Sequence, residues 1–237
     1  MILTKKKIFV LSGAGISKES GIKTFRETDG LWENYKIDDV CTPQAFDRNP
    51  DLVNQFYNDR KKQINNSTIK PNNAHLYLTK LQKKFFNSFM LVTQNIDNLH
   101  EKAGTQNVYH MHGSLENKIC MSCNYTSYFT EDITTEQICI NCNKKGKIRV
   151  DVVWFGEMPK YLDQIYNFLG ETDIFLSIGT SSLVYPAAGF IDYIKKNNKK
   201  AKLFEFNIEK TAKSILFDHV FLGKASETIP KFVQNFE

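Results

Sequence analysis

The chain's 237 residues suffice for one large domain, or one domain carrying a sizeable insert, at roughly 100 to 200 residues per domain. A composition of 41% hydrophobic, 13% aromatic and 24% charged residues is that of a folded globular chain, and it excludes disorder, collagen-like repeats and coiled coil. Lys and Arg number 31 against 26 Asp and Glu, but the surplus of +5 is scattered over short patches such as Lys5-Lys6-Lys7 and Arg60-Lys61-Lys62, so nucleic-acid binding is not required.

Residues 5–16 start as lysines followed by an apolar run. The run is short, breaks into Gly13 and Gly15, and lacks a small-x-small cleavage site, so a buried strand entering a glycine-rich loop explains it better than a signal peptide. No window approaches the ~18 apolar residues of a membrane span, and a cytoplasmic protein with no membrane partner is expected. Apolar runs at 7–11, 89–93, 174–178, 203–206 and 220–222 are continuous, not alternating, which predicts parallel strands buried on both faces. Helical patterns at 51–64, 75–83, 162–169 and 187–197 fall between them, and the alternation predicts an open α/β sheet. Two inserts interrupt it, a helical one at 30–75 and a cysteine-rich one at 116–150.

In such sheets ligands bind at the carboxyl ends of the strands. Those ends are polar here: Gly13-Ala14-Gly15-Ile16-Ser17, Gln94-Asn95-Ile96-Asp97, Gly179-Thr180-Ser181 and Asn207-Ile208-Glu209. Gly13-Ala14-Gly15 is similar to a dinucleotide-binding turn, whose glycines let backbone N–H groups approach a pyrophosphate. It departs from G-x-G-x-x-G at Lys18, a plain tight turn is the alternative, and no acid stands at the end of a second strand as in ordinary dehydrogenases. Asn95 and Asp97 are also consistent with turn or cap residues. His110 and His112 share one face of an extended segment, but Gly113 can turn the chain, so either can equally be a histidine hydrogen-bonded near a loop.

Of the five cysteines, four fall as Cys120-x2-Cys123, fifteen residues, then Cys139-x2-Cys142. That spacing predicts one zinc ion in a tetrahedral four-thiolate shell, with no open position for water or substrate and hence a structural role.

Together these strings resemble the sirtuins, the class III NAD-dependent protein lysine deacylases, and in particular their bacterial CobB type. The resemblance runs over nearly the whole chain. It rests on Gly13-Ala14-Gly15-Ile16-Ser17, Glu19-Ser20-Gly21-Ile22, Thr24-Phe25-Arg26, Asp29-Gly30-Leu31-Trp32, Thr93 to His100, His110-Met111-His112-Gly113, the four cysteines, Val152 to Glu157, and Gly179-Thr180-Ser181. It implies a Rossmann-like parallel-sheet domain, discontinuous over 1–29, 76–115 and 151–237, and a smaller domain made of the helical insert 30–75 and the zinc insert 116–150.

By the same resemblance Gly13, Ala14, Gly15, Phe25 and Arg26 line the cofactor loop, and Gln94, Asn95 and Asp97 surround the nicotinamide ribose and amide. Gly179, Thr180 and Ser181 hold phosphate or ribose groups, with Asn207 and Ala225 near the adenosine, and His112 is the general base. Val153, Phe155 and Gly156 meet an acyl-lysine protein or peptide added as an extended strand. NAD is consumed as a co-substrate: the acyl oxygen attacks the ribose carbon as nicotinamide leaves, and the products are O-acyl-ADP-ribose and free lysine. A monomer is expected.

Tyr57 and Arg60, three residues apart, share a helix face and read on spacing alone as an ordinary amphipathic helix with a solvated arginine. Tyr-x-x-Arg at this place resembles the sirtuins that accept negatively charged acyl groups, which implies desuccinylation or demalonylation beside deacetylation. Cys41 stands where an alanine keeps that acyl pocket wide; it implies a narrower, oxidation-sensitive pocket, or else a buried small hydrophobe. Lys23 and Val150 replace prolines common in the family and bear on loop rigidity. Two alternatives are a mono-ADP-ribosyltransferase, which would deliver the ribose elsewhere, and a zinc-ribbon nucleic-acid binder, against which the pairing of His112 with Asn95 argues.

Overall fold

The computed structural model describes residues 6–23, 31–32 and 35–236, the pair 31–32 by backbone alone. β1 (Ile8–Ser12) runs into α1 (Gly15–Lys18). The helical insert holds the hairpin β2 (Leu31–Trp32) and β3 (Tyr35–Lys36), then α2 (Ile37–Val40), α3 (Pro43–Arg48) and α4 (Pro50–Ile64). Next come α5 (Asn73–Lys84), β4 (Phe89–Thr93), α6 (Leu99–Lys102) and β5 (Val108–His110). The cysteine-bearing strands are β6 (Gly113–Cys120), β7 (Thr126–Tyr128) and β8 (Ile148–Val152). They are followed by α7 (Leu162–Leu169), β9 (Ile174–Ile178), α8 (Phe190–Asn197), β10 (Lys202–Asn207), β11 (His219–Leu222) and α9 (Ala225–Gln234).

Six strands form one parallel sheet in the order β11-β10-β9-β1-β4-β5. The chain builds outward from β1 through β4 to β5, returns to the other side of β1 at β9, and builds outward again through β10 to β11. That is the doubly wound Rossmann order, with its switch point between β1 and β9. β1 and β9 are buried along their whole length, as their unbroken apolar runs predict, and one apolar cluster covers each sheet face. The edge strand β5 has no counterpart among the predicted strands, because its three residues are only half-buried and carry no apolar run.

The two inserts share a third core. Val53, Phe56 and Tyr57 of α4 pack with Leu115, Phe129, Ile148, Val150 and Trp154. α4 is well started: Asn49 accepts a hydrogen bond from Leu52 N and Pro50 opens the first turn, just as Thr42 and Pro43 do for α3. It is also pinned to the cysteine-rich insert, where Asn58 exchanges two 2.9 Å hydrogen bonds with the backbone of Ile133 and buried Lys61 donates to Phe129 O at 2.5 Å. β6 pairs antiparallel with β7 and β8, and the β6–β8 pairing runs from Gly113↔Val152 to Cys120↔Ile148. This sheet therefore begins before residue 116, where the cysteine-rich insert is predicted to start. Among the described residues no helix is long and apolar enough to cross a membrane.

Candidate active site

The carboxyl ends of β1, β4, β9 and β10 meet at the switch point. The glycines there serve each other before any ligand: a Cβ on Gly15 would lie 2.7 Å from Gly179 Cα, and one on Gly13 2.8 Å from Gly179 O. Gly179 itself has φ +61°, and a Cβ there would lie 2.5 Å from Ile16 N. Two strand-end loops thus pack backbone to backbone, joined by Gly15 N–H to Gly179 O at 2.9 Å, a reason for these glycines beside the cofactor loop or tight turn expected from the sequence.

Beside them the loop after β4 is held from several directions. Asn95 Nδ2 donates to Gly13 O at 3.2 Å and to Ser17 Oγ at 3.1 Å, and Ser17 donates to Asp97 Oδ2 at 2.9 Å. Burial raises the Asp97 pKa, against the Leu99 N–H and the Ser17 hydroxyl, which favour its charged form. Behind Asn95 the Thr93 hydroxyl accepts from Asn95 N–H and from Ser12, whose oxygen also meets the buried His100 at 2.9 Å. Ser17 and this hydroxyl and imidazole support were not among the predicted site residues; the serine lay in the glycine motif, and the rest gave no signal because their meeting is long-range.

The two histidines separate by their partners. His110 Nδ1 donates to Asn95 O at 3.1 Å and Nε2 to Glu101 at 2.7 Å, so both ring nitrogens are occupied. Burial opposes its charge, but the Glu101 carboxylate outweighs that and raises the pKa. His112 Nδ1 faces Gln94 O at 3.1 Å; a carbonyl only accepts, so the proton sits on Nδ1 and Nε2 keeps its lone pair, with no protein partner among the described residues. Burial lowers the His112 pKa. Gly113, next in the chain, has φ +77°, and a Cβ there would lie 2.0 Å from Asp151 O, so only glycine lets β6 leave His112 against β8.

The predicted substrate segment follows β8. Val153 N–H bonds His112 O at 2.8 Å and Phe155 N–H bonds Cys41 O at 3.0 Å, while Phe155 and Gly156 are exposed. Below it lies a buried chain of polar groups: Trp154 Nε1 donates to Tyr57 OH at 3.0 Å, and Tyr57 donates to Cys41 Sγ at 3.4 Å. Burial pushes the Cys41 thiol up to about 12, against the Tyr57 hydrogen bond. A thiol so reluctant to ionise is a poor target for oxidants, which argues against the oxidation sensitivity expected at Cys41 and for the buried small residue. Arg60, one turn beyond Tyr57, is half-buried with its guanidinium 5.2 Å from the Phe56 ring centroid.

On the β9 side Thr180 is buried with its hydroxyl 3.1 Å from Ser177 Oγ, and Ser181 is exposed at the crevice lip. Asn207 donates to Thr180 O at 2.8 Å, and Ala225 opens α9, where Ser226 is tied to Glu19. Phe25 and Arg26 lie outside the described residues. The polar set drawn from these strand ends fits a dinucleotide: carboxamide and hydroxyl groups at Gln94, Asn95, Ser17 and Ser181 offer both donors and acceptors to ribose and amide groups, around one carboxylate.

The cysteines fit a metal equally well. Their four sulfurs lie within 4.8 Å of one another, with Cys120–Cys142 and Cys123–Cys139 both at 3.7 Å. A tetrahedral shell with Zn–S bonds of about 2.3 Å places sulfurs about 3.8 Å apart, whereas a disulfide needs about 2.05 Å. Each C-x2-C knuckle ends on an asparagine at φ 57°, Asn124 or Asn143, whose N–H closes back on the first cysteine's carbonyl.

Comparison with known proteins agrees with this geometry. The family model described as the Sir2 family matches residues 13–186. An NAD-dependent protein deacylase of Bdellovibrio bacteriovorus is 48% identical over 231 residues, covering 98% of this chain and 97% of its own. One from Vibrio parahaemolyticus is 49% identical, covering 96% and 94%. Among solved structures, a Sir2 homologue in complex with NAD superposes with TM-score 0.86 at 35% identity, covering 98% of this chain and 90% of that one.

Proposed function

This chain belongs to the Sir2 family and is an NAD-dependent protein deacylase, and we propose that it removes succinyl and malonyl as well as acetyl groups from lysine side chains. The reading places NAD along the strand ends of the switch point, at Gly13, Ala14, Gly15, Gln94, Asn95, Asp97, Gly179, Thr180, Ser181, Asn207 and Ala225. When bound, NAD supplies the ribose that accepts the acyl group as nicotinamide leaves. Asn95 and Asp97, braced by Ser17, orient what binds beside them, and such fixed positioning favours attack by a weak nucleophile.

The observation that carries the reading is the His112 tautomer. With its proton held on Nδ1 by Gln94 O, the ring keeps Nε2 ready to take a proton beside that polar cluster. Val153, Phe155 and Gly156 offer a backbone edge to the acyl-lysine chain; Tyr57 and Cys41 lie beneath it, and with Arg60 one turn further along α4 they would meet the acyl group. Zinc held by the four cysteines organises the smaller unit and takes no part in the chemistry. We divide the chain as 1–29, 76–115 and 151–237 against 30–75 and 116–150, although the small unit's core reaches to Leu115 and Trp154. We propose further that the chain acts as a monomer in the cytoplasm, where cysteines spaced to hold zinc are commoner than disulfide frameworks.

A panel of acetyl-, propionyl-, malonyl- and succinyl-lysine peptides with NAD, read by mass spectrometry, tests the proposal. Free lysine peptide and O-acyl-ADP-ribose from acetyl and succinyl peptides are expected. ADP-ribosylated protein in place of O-acyl-ADP-ribose would mean a transferase, and turnover of acetyl peptide alone would remove the acidic acyl groups.

A further inference from the structure

Arg149 lies on β8 with its side chain buried, hydrogen-bonded to none of the residues assigned to cofactor or acyl group, although its charge reaches Tyr57 past the Trp154 ring. Its guanidinium is used on all sides. Nε meets Met121 Sδ at 2.8 Å, and NH1 donates to Val152 O at 2.7 Å and to Val150 O at 3.3 Å. NH2 pairs with Glu157 Oε1 at 2.5 Å, and the guanidinium carbon lies 3.8 Å from the Trp154 ring centroid. The other Glu157 oxygen accepts from Trp154 N–H at 2.8 Å, and Glu157 N–H bonds Trp154 O at 3.0 Å. Residues 154–157 are therefore closed into a turn by backbone and side chain together, around Gly156 at φ +90°. Among the described residues nothing beyond its chain neighbours lies within 4 Å of the position a Cβ would take on Gly156.

A buried ion pair of this kind contributes little net stability, since desolvation of both charges offsets their attraction. What it does supply is geometry. Arginine's planar fork can hold a strand carbonyl and a carboxylate in one plane, which a lysine point charge cannot.

We infer that the Arg149–Glu157 pair is a positioning device for the acyl-lysine chain, fixing the segment Val153 to Gly156 so that it presents one backbone conformation to the incoming peptide. The inference rests on the reading of that segment as the peptide-binding edge. Neither residue touches the reacting groups; both act through the segment. A preformed edge spares the peptide the cost of ordering it on binding, so the pair governs peptide affinity and leaves the chemical step and the NAD site alone.

Steady-state kinetics with an acetyl-lysine peptide test this on Glu157→Gln, Arg149→Met, Arg149→Lys and the double variant Arg149→Met/Glu157→Gln. Thermal melting and zinc content are followed alongside. Glu157→Gln keeps one acceptor, for Trp154 N–H, and turns the other toward Arg149 into a donor, so it breaks the pair at near-constant volume and reads it even if Arg149→Met melts the small unit. The expected result is a peptide KM raised about tenfold in each single variant, with kcat and the KM for NAD within about twofold. The double variant should be no worse than Arg149→Met, and lysine at 149 should give no rescue. A fall in kcat with peptide KM unmoved, or equal losses toward NAD and peptide, would overturn the inference. Phe155→Ala separates the two readings. If it leaves peptide KM unchanged, the segment is not the peptide edge and both fail; if it raises KM while Glu157→Gln does not, only the positioning role fails.

Discussion

At the scale of single residues the decisive fact is which nitrogen of which histidine is available. His110 spends both of its nitrogens on Asn95 O and Glu101, whereas His112 spends only Nδ1. His112→Ala should lower turnover by at least about a hundredfold, the usual contribution of a positioned base, with the fold intact by circular dichroism. A dead His110→Ala beside an active His112→Ala would reverse the assignment. Burial lowers the His112 pKa, and a base works in its neutral form, so activity should rise with pH through a pKa below the ordinary imidazole value of about 6.5 and hold level above it. An acidic limb centred above that value in a pH profile of kcat/KM would contradict this. Acyl preference belongs to the same scale: charge-assisted hydrogen bonds are worth about 1.5 to 3 kcal/mol, and acetyl has no carboxylate to receive them. Tyr57→Phe with Arg60→Met should therefore lose most desuccinylation and far less deacetylation when peptides of one sequence are compared. Equal losses would show that the pair supports the fold instead.

Among elements, α4 and the cysteine knuckles form one mechanical unit. α4 presents Tyr57 toward Trp154 and Cys41, and the neighbouring Asn58 and Lys61 bind it to the 129–133 stretch of the zinc insert. The knuckles add little apolar surface beyond the cysteines themselves, with Ile138 and Ile140 exposed, so metal is what closes them. Structural zinc contributes on the order of 10 to 16 kcal/mol in small peptides, as much as the whole net stability of a typical domain, about 5 to 15 kcal/mol. Cys139→Ser, or chelation, should release the metal and melt the small unit at a temperature where the six-stranded sheet still holds, followed by metal analysis and far- and near-ultraviolet circular dichroism. Active, fully stable protein without zinc would refute the structural assignment.

The molecule as a whole is organised around the contact of two loops from opposite halves of a doubly wound sheet. Gly13 and Gly15 follow β1, Gly179 follows β9, and the strands between them are neighbours only because the chain reverses its direction of winding at β1. A methyl group on Gly179 would meet Ile16 N at 2.5 Å and would also have to adopt φ +61°, so Gly179→Ala must push the halves apart at the crevice. The expected outcome is a KM for NAD raised more than the KM for peptide, with a lowered melting temperature; an unchanged NAD affinity measured by calorimetry would show that the cradle tolerates the shift.

Much of this was legible in the linear chain because its signals are local. Continuous apolar runs mark strands buried on both faces, and those at 89–93 and 174–178 coincide with β4 and β9 residue for residue. The spacing of the four cysteines carries its own metal geometry. Three features required the folded molecule. β5 is too short and too polar to declare itself, and exists because β4 offers it an edge. The glycines after β1 were readable as a cofactor loop, but their closest constraint is Gly179, more than 160 residues along the chain. The division of labour between His110 and His112, and the turn that Arg149 and Glu157 close, depend on backbone carbonyls and carboxylates whose positions only long-range packing sets. Periodicity and spacing report what a residue does within its own element; hydrogen-bond partners across elements are chosen by the tertiary fold.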